Sequence, residues 1–299
     1  MHSQNVLVNY MTSQTDAPIS QKPDKFLLSK VHTSENLRRD IEKAVELIGG
    51  FDPLIQPGDL VTIKPNLNTA DPYPASSDAD FIQALGEALL AAGAGKLQIM
   101  DASTQRVCTR DVGEAIGICD VALDLDADFI SLDEHPWIKQ TFPKGKYLKS
   151  GHIGEPALNL GKLVIAPCLK THFIAKFTAS MKVMMGLLKR QDRLKMHIRH
   201  LEYKIADLAS YFQPTLVIMD ARKVFVTKGP ASGDLETPNL ILASHDMVAI
   251  DVEGVRLLQS YNARNKLNVP VWELGQIARA KEIGFGATSD DEIQVIEGP

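Results

Sequence analysis

Short apolar runs alternate along the chain with longer amphipathic stretches, and the two patterns predict different elements. The apolar runs predict buried strands at 60–63, 96–100, 162–166, 216–219, 240–243 and 293–296. The amphipathic stretches predict helices at 34–48, 79–92, 109–118, 200–212, 247–260 and 272–283. Residues 1–30 predict a short strand at 5–9 followed by a polar loop. This alternation is typical of an α/β fold with a mainly parallel sheet flanked by helices.

Glycine and proline residues divide the chain into segments. The turn Pro57-Gly58-Asp59 separates an N-terminal strand and helix, residues 1–57, from an α/β domain at 58–299. We expect the N-terminal part to pack on the core of that domain. Residues 137–156 hold several Gly and Pro breakers, which predict a β-hairpin or meander inserted in the domain. The sheet is expected either as one unit or as two lobes around a cleft.

Composition and charge narrow the class of protein. The chain has 299 residues, of which 44% are hydrophobic and 23% charged, as in ordinary soluble globular proteins. A net charge of −5 argues against a general nucleic-acid binder. No apolar run reaches the roughly 18 residues of a membrane-spanning helix, and the first residues lack the pattern of a secretory signal. The three cysteines form no CxxC pair, which favours a reducing compartment. We therefore expect a cytoplasmic protein that does not bind membranes; the oligomeric state, a homo-oligomer included, stays open.

Polar side chains follow four of the predicted strands. They are Lys64 with Asn66, Asp101 with Ser103, Lys170 with Thr171 on a polar loop, and Asp220 with Arg222. The carboxyl ends of parallel strands share one edge of a sheet, which is where such folds bind ligands. Lysine and amide groups there suit a carboxylate or phosphate. Structural roles compete, because Asn66 could cap a turn and Asp101 could cap a helix.

The segment 161–197 holds the strongest candidate chemistry. A strand breaks at Pro167, and His172, Lys182 and His197 follow within thirty residues. Two histidines on either side of a substrate carbon could exchange protons with it from opposite faces. Lys182 lies in an apolar helical run, where burial would lower its pKa. The competing interpretations are ordinary surface or core histidines and a lysine that extends to solvent at the helix edge.

Six ordered motifs resemble domain-of-unknown-function family 362 over about residues 58–296. They are IKPNL at 63–67, AAGAGKLQIMDAS at 91–103, APCLKTHF at 166–173, ASMKVMMGL at 179–187, IMDARKVFVTKGPASGD at 218–234 and LASHDMVAID at 242–251. Members of that family often carry an added ferredoxin-like iron–sulfur segment. This chain has no such run of cysteines, so we expect no iron–sulfur cluster of its own. The resemblance implies a fold and leaves the activity unassigned.

The spacing of His172, Lys182 and His197 is also similar to that in the nickel-pincer lactate racemase family. That resemblance implies that Lys182 holds a nickel-pincer nucleotide and that the histidines bind nickel, His197 among them, and shuttle a proton. Two features depart from the family. Residues 178–181 replace its glycine-rich run, and other polar residues near Ser103 and Lys64 replace its strand-tip histidine and arginine.

These observations together predict an enzyme that acts on a small anionic metabolite at the strand-end cleft. Lys64, Asn66 and Lys170 would hold the anion, His172 and His197 would act as acid and base, and Lys182 would bind cofactor or substrate. The most specific form of this prediction is the racemisation or epimerisation of a hydroxy acid. The alternative is a non-catalytic accessory or anionic-ligand-binding protein that works with iron–sulfur or redox partners. A third interpretation gives all three residues a structural role on helix surfaces.

Overall fold

The computed structural model describes residues 23–104 and 107–298. The strand predicted at 5–9 lies outside these residues. Strands within them are β1 (Phe26–His32), β2 (Leu60–Lys64), β3 (Lys96–Asp101), β4 (Asp128–Ser131), β5 (Trp137–Thr141), β6 (Ser150–Gly154), β7 (Lys162–Ile165), β8 (Cys168–His172), β9 (Lys176–Thr178), β10 (Leu216–Phe225), β11 (Leu235–Glu236), β12 (Leu240–Ser244) and β13 (Ile293–Gly298). The α-helices are α1 (Leu37–Glu46), α2 (Ala79–Ala91), α3 (Thr109–Ala115), α4 (Ile118–Asp124), α5 (Ser180–Val183), α6 (Arg190–Ile198), α7 (Leu201–Ala209), α8 (Met247–Gln259) and α9 (Gly275–Glu282).

One large sheet organises the described residues, in the order β13-β1-β12-β10-β7-β2-β3-β4. The run from β10 to β4 is parallel, and β12 lies antiparallel to both of its neighbours. The fold is therefore mixed α/β with a mostly parallel central sheet flanked by helices, which confirms the predicted class.

Both faces of this sheet are covered. Alternate residues of β7 point into two separate apolar cores, with Leu163 and Ile165 in one and Val164 in the other. This arrangement explains why the central strands are continuous apolar runs rather than alternating ones. No helix of the described residues is long and apolar enough to cross a membrane.

The first strand of the sheet was not predicted. We expected a polar loop up to residue 30, whereas β1 lies between β13 and β12 inside the sheet. Its sequence FLLSKVH is interrupted by two polar residues that both find partners. Ser29 is fully buried and donates its hydroxyl to the carbonyl of Ala44 at 2.6 Å, and Lys30 pairs with Glu253 at 2.6 Å. Because both polar side chains are paired within the fold, the strand could not be recognised from its hydrophobic pattern alone.

Two strands near the site also extend further than predicted. Residues 170–172 were expected on a polar loop, but after Pro167 the chain pairs again as β8, parallel to β10 and antiparallel to β9. The strand predicted to end at Asp220 continues to Phe225 for the same reason, since its far half pairs with β8 and β11. The helix predicted at 109–118 ends earlier, as α3 at Ala115, and a second helix, α4, starts after Gly117, whose φ of 78° is unfavourable for other residues.

The segment 137–156 contains β5 and β6, which pair with each other as a separate antiparallel sheet. The loop between them is held by the buried carboxylate of Asp207, which accepts the backbone N–H groups of Lys146, Tyr147 and Leu148. Arg279 donates to the same carboxylate at 2.7 Å and to the carbonyl of Lys144. The division of the chain at residue 57 stays a prediction.

Candidate functional site

A cavity of about 230 Å³ lies beyond the carboxyl ends of β2, β3 and β8. This is the edge of the sheet where parallel α/β folds bind ligands. Six of the predicted site residues line it: Asn66, Asp101, Lys170, His172, Lys182 and His197. Residues that lie far apart in the sequence thus meet at a single cavity.

Lys182 reaches the cavity from α5, a helix of one turn that is fixed at its start by a buried carboxylate. Asp251 of α8 accepts the N–H and hydroxyl of Ser180 at 2.7 and 2.6 Å and the N–H of Met181 at 3.1 Å. Burial raises the pKa of Asp251 to about 7. The Lys182 amine has no hydrogen-bond partner within the described residues. Burial, together with the positive charges of Lys170 and Arg193, lowers its pKa to about 7.

His172 is the last residue of β8, and its hydrogen bonds fix which ring nitrogen carries the proton. Its Nδ1 accepts the backbone N–H groups of Ile174 and Ala175, both at 3.1 Å, so the proton of the neutral ring lies on Nε2. Burial and the nearby Lys182, His197 and Lys170 lower the pKa of His172 to about 2. The ring is therefore neutral at physiological pH, and its free nitrogen is a hydrogen-bond donor. The prediction that His172 acts as acid or base does not fit, because its lone pair is already used by two amides.

His197, on α6, carries its proton on the other ring nitrogen. Its Nδ1 lies 2.8 Å from the carbonyl oxygen of Arg193, one turn earlier in the helix. A carbonyl can only accept, so Nδ1 carries the proton and Nε2 keeps a lone pair. The residue is exposed at the mouth of the cavity. His197 can therefore accept a proton at Nε2.

Arg193, also on α6, is a cavity residue from the basic run 182–200, which the sequence offers either as a solvated helix face or as an anion-binding rim. Its guanidinium donates to the carbonyls of Ala102 and Ser103, both at 2.8 Å, which ties α6 to the end of β3. It is only 8% exposed, and its Nε has no partner within the described residues. Burial lowers its pKa to about 10, so it stays charged at neutral pH. The basic composition of residues 189–199 was the available signal.

Thr178 adds a second buried group without a partner. It lines the cavity at the end of β9, is 2% exposed, and its Oγ1 makes no hydrogen bond to any described residue. Native proteins leave few buried polar atoms unsatisfied. Two such atoms lie in residues of the cavity wall, Thr178 and Arg193, although neither atom is itself open to the cavity.

A buried ion pair lies beneath the cavity, and only its acidic member lines the wall. Lys64 lies 2.9 Å from Asp101 and also donates to the carbonyl of Pro65 at 2.7 Å. Asp101 accepts the backbone N–H of Leu67 and of Ala102, each at 2.8 Å. Burial lowers the pKa of Lys64, although Asp101 opposes this shift. Lys64 is therefore committed to Asp101 and does not line the cavity.

Lys170 and Asn66 bring predicted ligand-binding groups to the wall. The Lys170 amine donates to the carbonyls of Pro74 at 2.9 Å and Cys168 at 3.3 Å, and burial lowers its pKa to about 8. Asn66 donates from Nδ2 to the carbonyl of Ala75 at 2.9 Å. The capping role that we considered for Asn66 therefore coexists with a place in the cavity.

Besides Lys64, four predicted site residues do not line the cavity: Ser103, Thr171, Asp220 and Arg222. Ser103 donates to the carbonyl of Leu67, and Thr171 donates to that of Phe225. Asp220 pairs with Arg222 at 2.7 Å and accepts the hydroxyl of Tyr73 at 2.6 Å. Ser103 lies just after β3, and the other three lie within β8 and β10, where the extended strands place their side chains in structural contacts. The strand-end rule placed Thr171, Asp220 and Arg222 beyond strands that in fact continue past them, and each side chain is used by its neighbours.

The nickel-pincer resemblance requires histidines that can bind a metal. Nε2 of His172 carries a proton and offers no lone pair, and the described residues contain no group of three or more His, Cys, Asp or Glu placed to hold a metal ion. His197 is a single lone-pair donor. His197 is therefore able to bind nickel and His172 is not, so the two histidine ligands that the resemblance implies are not both present, and we derive no step through nickel.

Two solved structures are similar to the described fold at low level. A lactate racemase apoprotein from Thermoanaerobacterium thermosaccharolyticum is 14% identical with a TM-score of 0.44, covering 74% of this chain and 54% of its own. A protein from Thermotoga maritima is 9% identical with a TM-score of 0.44, covering 76% of this chain and 57% of its own. The chain thus spans little more than half of each, and this level of similarity carries no argument about activity.

Sequence comparisons give a longer match and a family. A thylakoid-associated protein of Synechocystis sp. is 23% identical over 288 residues, which covers 92% of this chain and 86% of that protein. The family described as a domain of unknown function (DUF362) matches residues 61–256, more than half of the chain. This match agrees with the resemblance of the ordered motifs, and the chain belongs to the DUF362 family.

Proposed function

We propose that this protein is an enzyme that transfers a proton to and from carbon on a small anionic metabolite bound in the strand-end cavity. The observation that carries the proposal is that one cavity is lined by Lys170, His172, Lys182, Arg193 and His197. The proposal includes a cytoplasmic location, in line with cysteines that are all unpaired in the described fold.

The wall of the cavity favours an anion. Lys170, Lys182 and Arg193 are basic, and the acidic member of the described lining, Asp101, is already paired with Lys64. Positive groups held in a site that is poor in water attract negative charge more strongly than they do in water. The cavity is smaller than the roughly 300–1,000 Å³ of sites for drug-sized ligands, which favours a small metabolite.

Two groups are suited to carry the proton. Nε2 of His197 has a free lone pair, and Lys182, whose pKa is about 7, is partly neutral at physiological pH. One of them takes the proton of an acidic C–H bond, and the electron pair of that bond moves onto the adjacent carboxylate or carbonyl group. The Nε2–H of His172 and the guanidinium of Arg193 stabilise the negative charge that forms there. Return of a proton by the other carrier inverts the carbon, which is a racemase-like or epimerase-like reaction.

Hydrogen–deuterium exchange tests this proposal without a known product. The purified full-length chain is incubated in D₂O with small 2-hydroxy, 2-amino and dicarboxylic acids, and loss of the C–H signal is followed by NMR. We expect exchange in at least one acid, with His197→Gln at least about 100-fold slower, because general-base groups contribute about 10²–10⁴-fold. Lys139→Met, an exposed change on β5, is the matched control and should leave exchange unchanged.

The outcomes also separate the two classes of function. Exchange at the wild-type rate in His197→Gln would contradict the role of that residue. Binding of an anion with no exchange in any acid would favour the alternative, a non-catalytic anionic-ligand-binding protein. That alternative needs only the cationic wall of the cavity and makes no use of the free lone pair on His197.

A further inference from the structure

The charges and hydrogen-bond donors of the cavity indicate which kind of anion it binds. Three basic side chains line it, Lys170, Lys182 and Arg193, and none of them forms an ion pair among the described residues. Asp101 offsets them only in part, because its carboxylate is already paired with Lys64 and accepts two backbone amides. The wall therefore carries up to three positive charges that form no ion pair with a described carboxylate, although Asp220 acts on Lys170, and Asp101 and Asp133 act on Arg193, from further away.

The polar atoms without partners are suited to donate as well. The Nε–H of Arg193 is buried and unpaired, Thr178 holds a buried hydroxyl that can donate, and the free nitrogen of His172 carries a hydrogen. The first two atoms are closed off from the cavity, whereas the Nε2–H of His172 and the amine of Lys182 are open to it. A ligand that satisfies these donors must present several acceptor oxygens at once. A single carboxylate has two oxygens and one charge, which is fewer than the wall can engage.

We infer that the cavity binds a small metabolite with two negative charges, such as a dicarboxylate or a phosphate monoester, in preference to a monoanion. This inference rests on the proposed function, because it names the substrate class of the same cavity. Both ligand chemistries share a double charge spread over at least three oxygens, and the experiment below distinguishes between them.

The surroundings of the two lysines add a second expectation. Lys182 faces Lys170, Arg193, His172 and His197, while Lys170 also lies near Cys168 and Asp220. Burial lowers the pKa of both amines, to about 7 for Lys182, where Lys170 and Arg193 add to the shift, and to about 8 for Lys170, where Cys168 and Asp220 oppose it. A bound dianion would favour their charged forms, so binding near pH 8 should take up protons.

Calorimetry with matched probes tests the inference. The full-length chain is titrated with malate against lactate and with methyl phosphate against dimethyl phosphate, so that each pair compares a dianion with a monoanion. We expect the dianion of at least one pair to bind at least about tenfold more tightly, which is about 1.4 kcal/mol. The pair that shows the preference identifies the dicarboxylate or the phosphate. Titrations at pH 8 in buffers of different ionisation enthalpy should show uptake of about one proton.

Variants of Lys182 show whether the cavity supplies this preference. Lys182→Met should reduce the preference for the dianion several-fold, and Lys182→Arg should keep the preference while reducing the proton uptake. Lys139→Met on the exposed face of β5 is the control and should change neither. If Lys182→Met does not fold, which its melting curve will show, Lys170→Met serves in its place.

Each result bears on the inference separately from the proposed function. Equal affinity for monoanions and dianions, or no binding of any probe at millimolar concentration, overturns the inference. Deuterium exchange in a monoanion alone would overturn it while leaving the proposed proton transfer in place. Tighter binding of a dianion without any exchange would support the inference and contradict the proton-transfer function.

Discussion

His172 and His197 present opposite hydrogen-bonding groups to one cavity. Nδ1 of His172 accepts two backbone N–H groups, whereas Nδ1 of His197 donates to the carbonyl of Arg193. The free nitrogen of the first is therefore a donor and that of the second an acceptor. This difference turns a pair of histidines that look equivalent in the sequence into a group that stabilises negative charge and a group that takes a proton.

Lys182 should make folding stability depend on pH in a defined direction. Its pKa falls from 10.5 in a free side chain to about 7 in the folded protein. Between these values the unfolded chain binds a proton that the folded chain does not, so the contribution of Lys182 to stability rises with pH. Below about pH 7 both states are charged, and the cost of burying the charge is fully present.

Lys182→Met should therefore stabilise the protein at pH 6, by about 1–3 kcal/mol, since the half-buried amine keeps some solvent screening. The gain should shrink as the pH approaches 10, as measured by urea unfolding. Lys139→Met should show no such trend. A Lys182→Met variant that is less stable than the wild type at pH 6 would contradict the lowered pKa.

Asp251 should be needed to position Lys182. Its carboxylate satisfies three buried donors at the start of α5, namely both donors of Ser180 and the N–H of Met181. Asp251→Ala leaves these donors unpaired, at a cost of about 1–3 kcal/mol for each that finds no water. We expect a total loss of about 2–4 kcal/mol in the free energy of unfolding.

Asp120→Ala, at an exposed position in the first turn of α4, is the matched control and should stay within about 0.5 kcal/mol of the wild type. Both variants can be compared by chemical denaturation at pH 7. If Asp251→Ala is as stable as Asp120→Ala, the carboxylate does not hold the start of α5.

The ion pair of Lys64 and Asp101 should require a glycine at position 186, because it leaves no room for a side chain there. A Cβ at this position would overlap Oδ1 of Asp101 and lie 2.9 Å from Nζ of Lys64. Lys64 and two amides hold that carboxylate in place, so it cannot move without breaking buried contacts. We expect Gly186→Ala to cost about 2–4 kcal/mol, in the range of disrupted buried ion pairs and overpacked cores.

Gly254→Ala is the comparison for this change. The Cβ of that variant would meet flexible ends of Leu169 and Met219 at 3.1 Å, and helix propensity favours alanine by up to about 1 kcal/mol. Its melting temperature should therefore stay close to that of the wild type. Equal melting temperatures for the two variants would show that the ion pair tolerates a side chain above it.

The sequence predicted the fold class and the edge of the sheet that holds the cavity, because both follow from local patterns. Buried runs such as Leu60–Ile63 indicate central strands wherever both faces of a sheet are covered. The strand-end rule then placed His172, Lys182 and Lys170 at one edge. It failed for β1, because the polar side chains of Ser29 and Lys30 are satisfied by residues distant in the sequence.

The roles of the site residues depend on contacts that no spacing reveals. Whether His172 donates or accepts depends on the turn at Ile174 and Ala175, which folds back over its ring. Arg193 becomes a cavity residue only because α6 packs against the end of β3. Asp220 and Arg222 lie at a strand end in the sequence, but β10 continues and they pair with each other.

The protonation states of His172 and His197 can be measured directly by long-range ¹H–¹⁵N NMR of the histidine rings in the full-length chain. We predict that, near pH 8, His172 carries its proton on Nε2 and His197 carries its proton on Nδ1. The His172 signals should also stay unchanged down to about pH 4, since its pKa is lowered to about 2. A proton on Nδ1 of His172, or titration of that ring between pH 5 and 8, would contradict the account of the cavity.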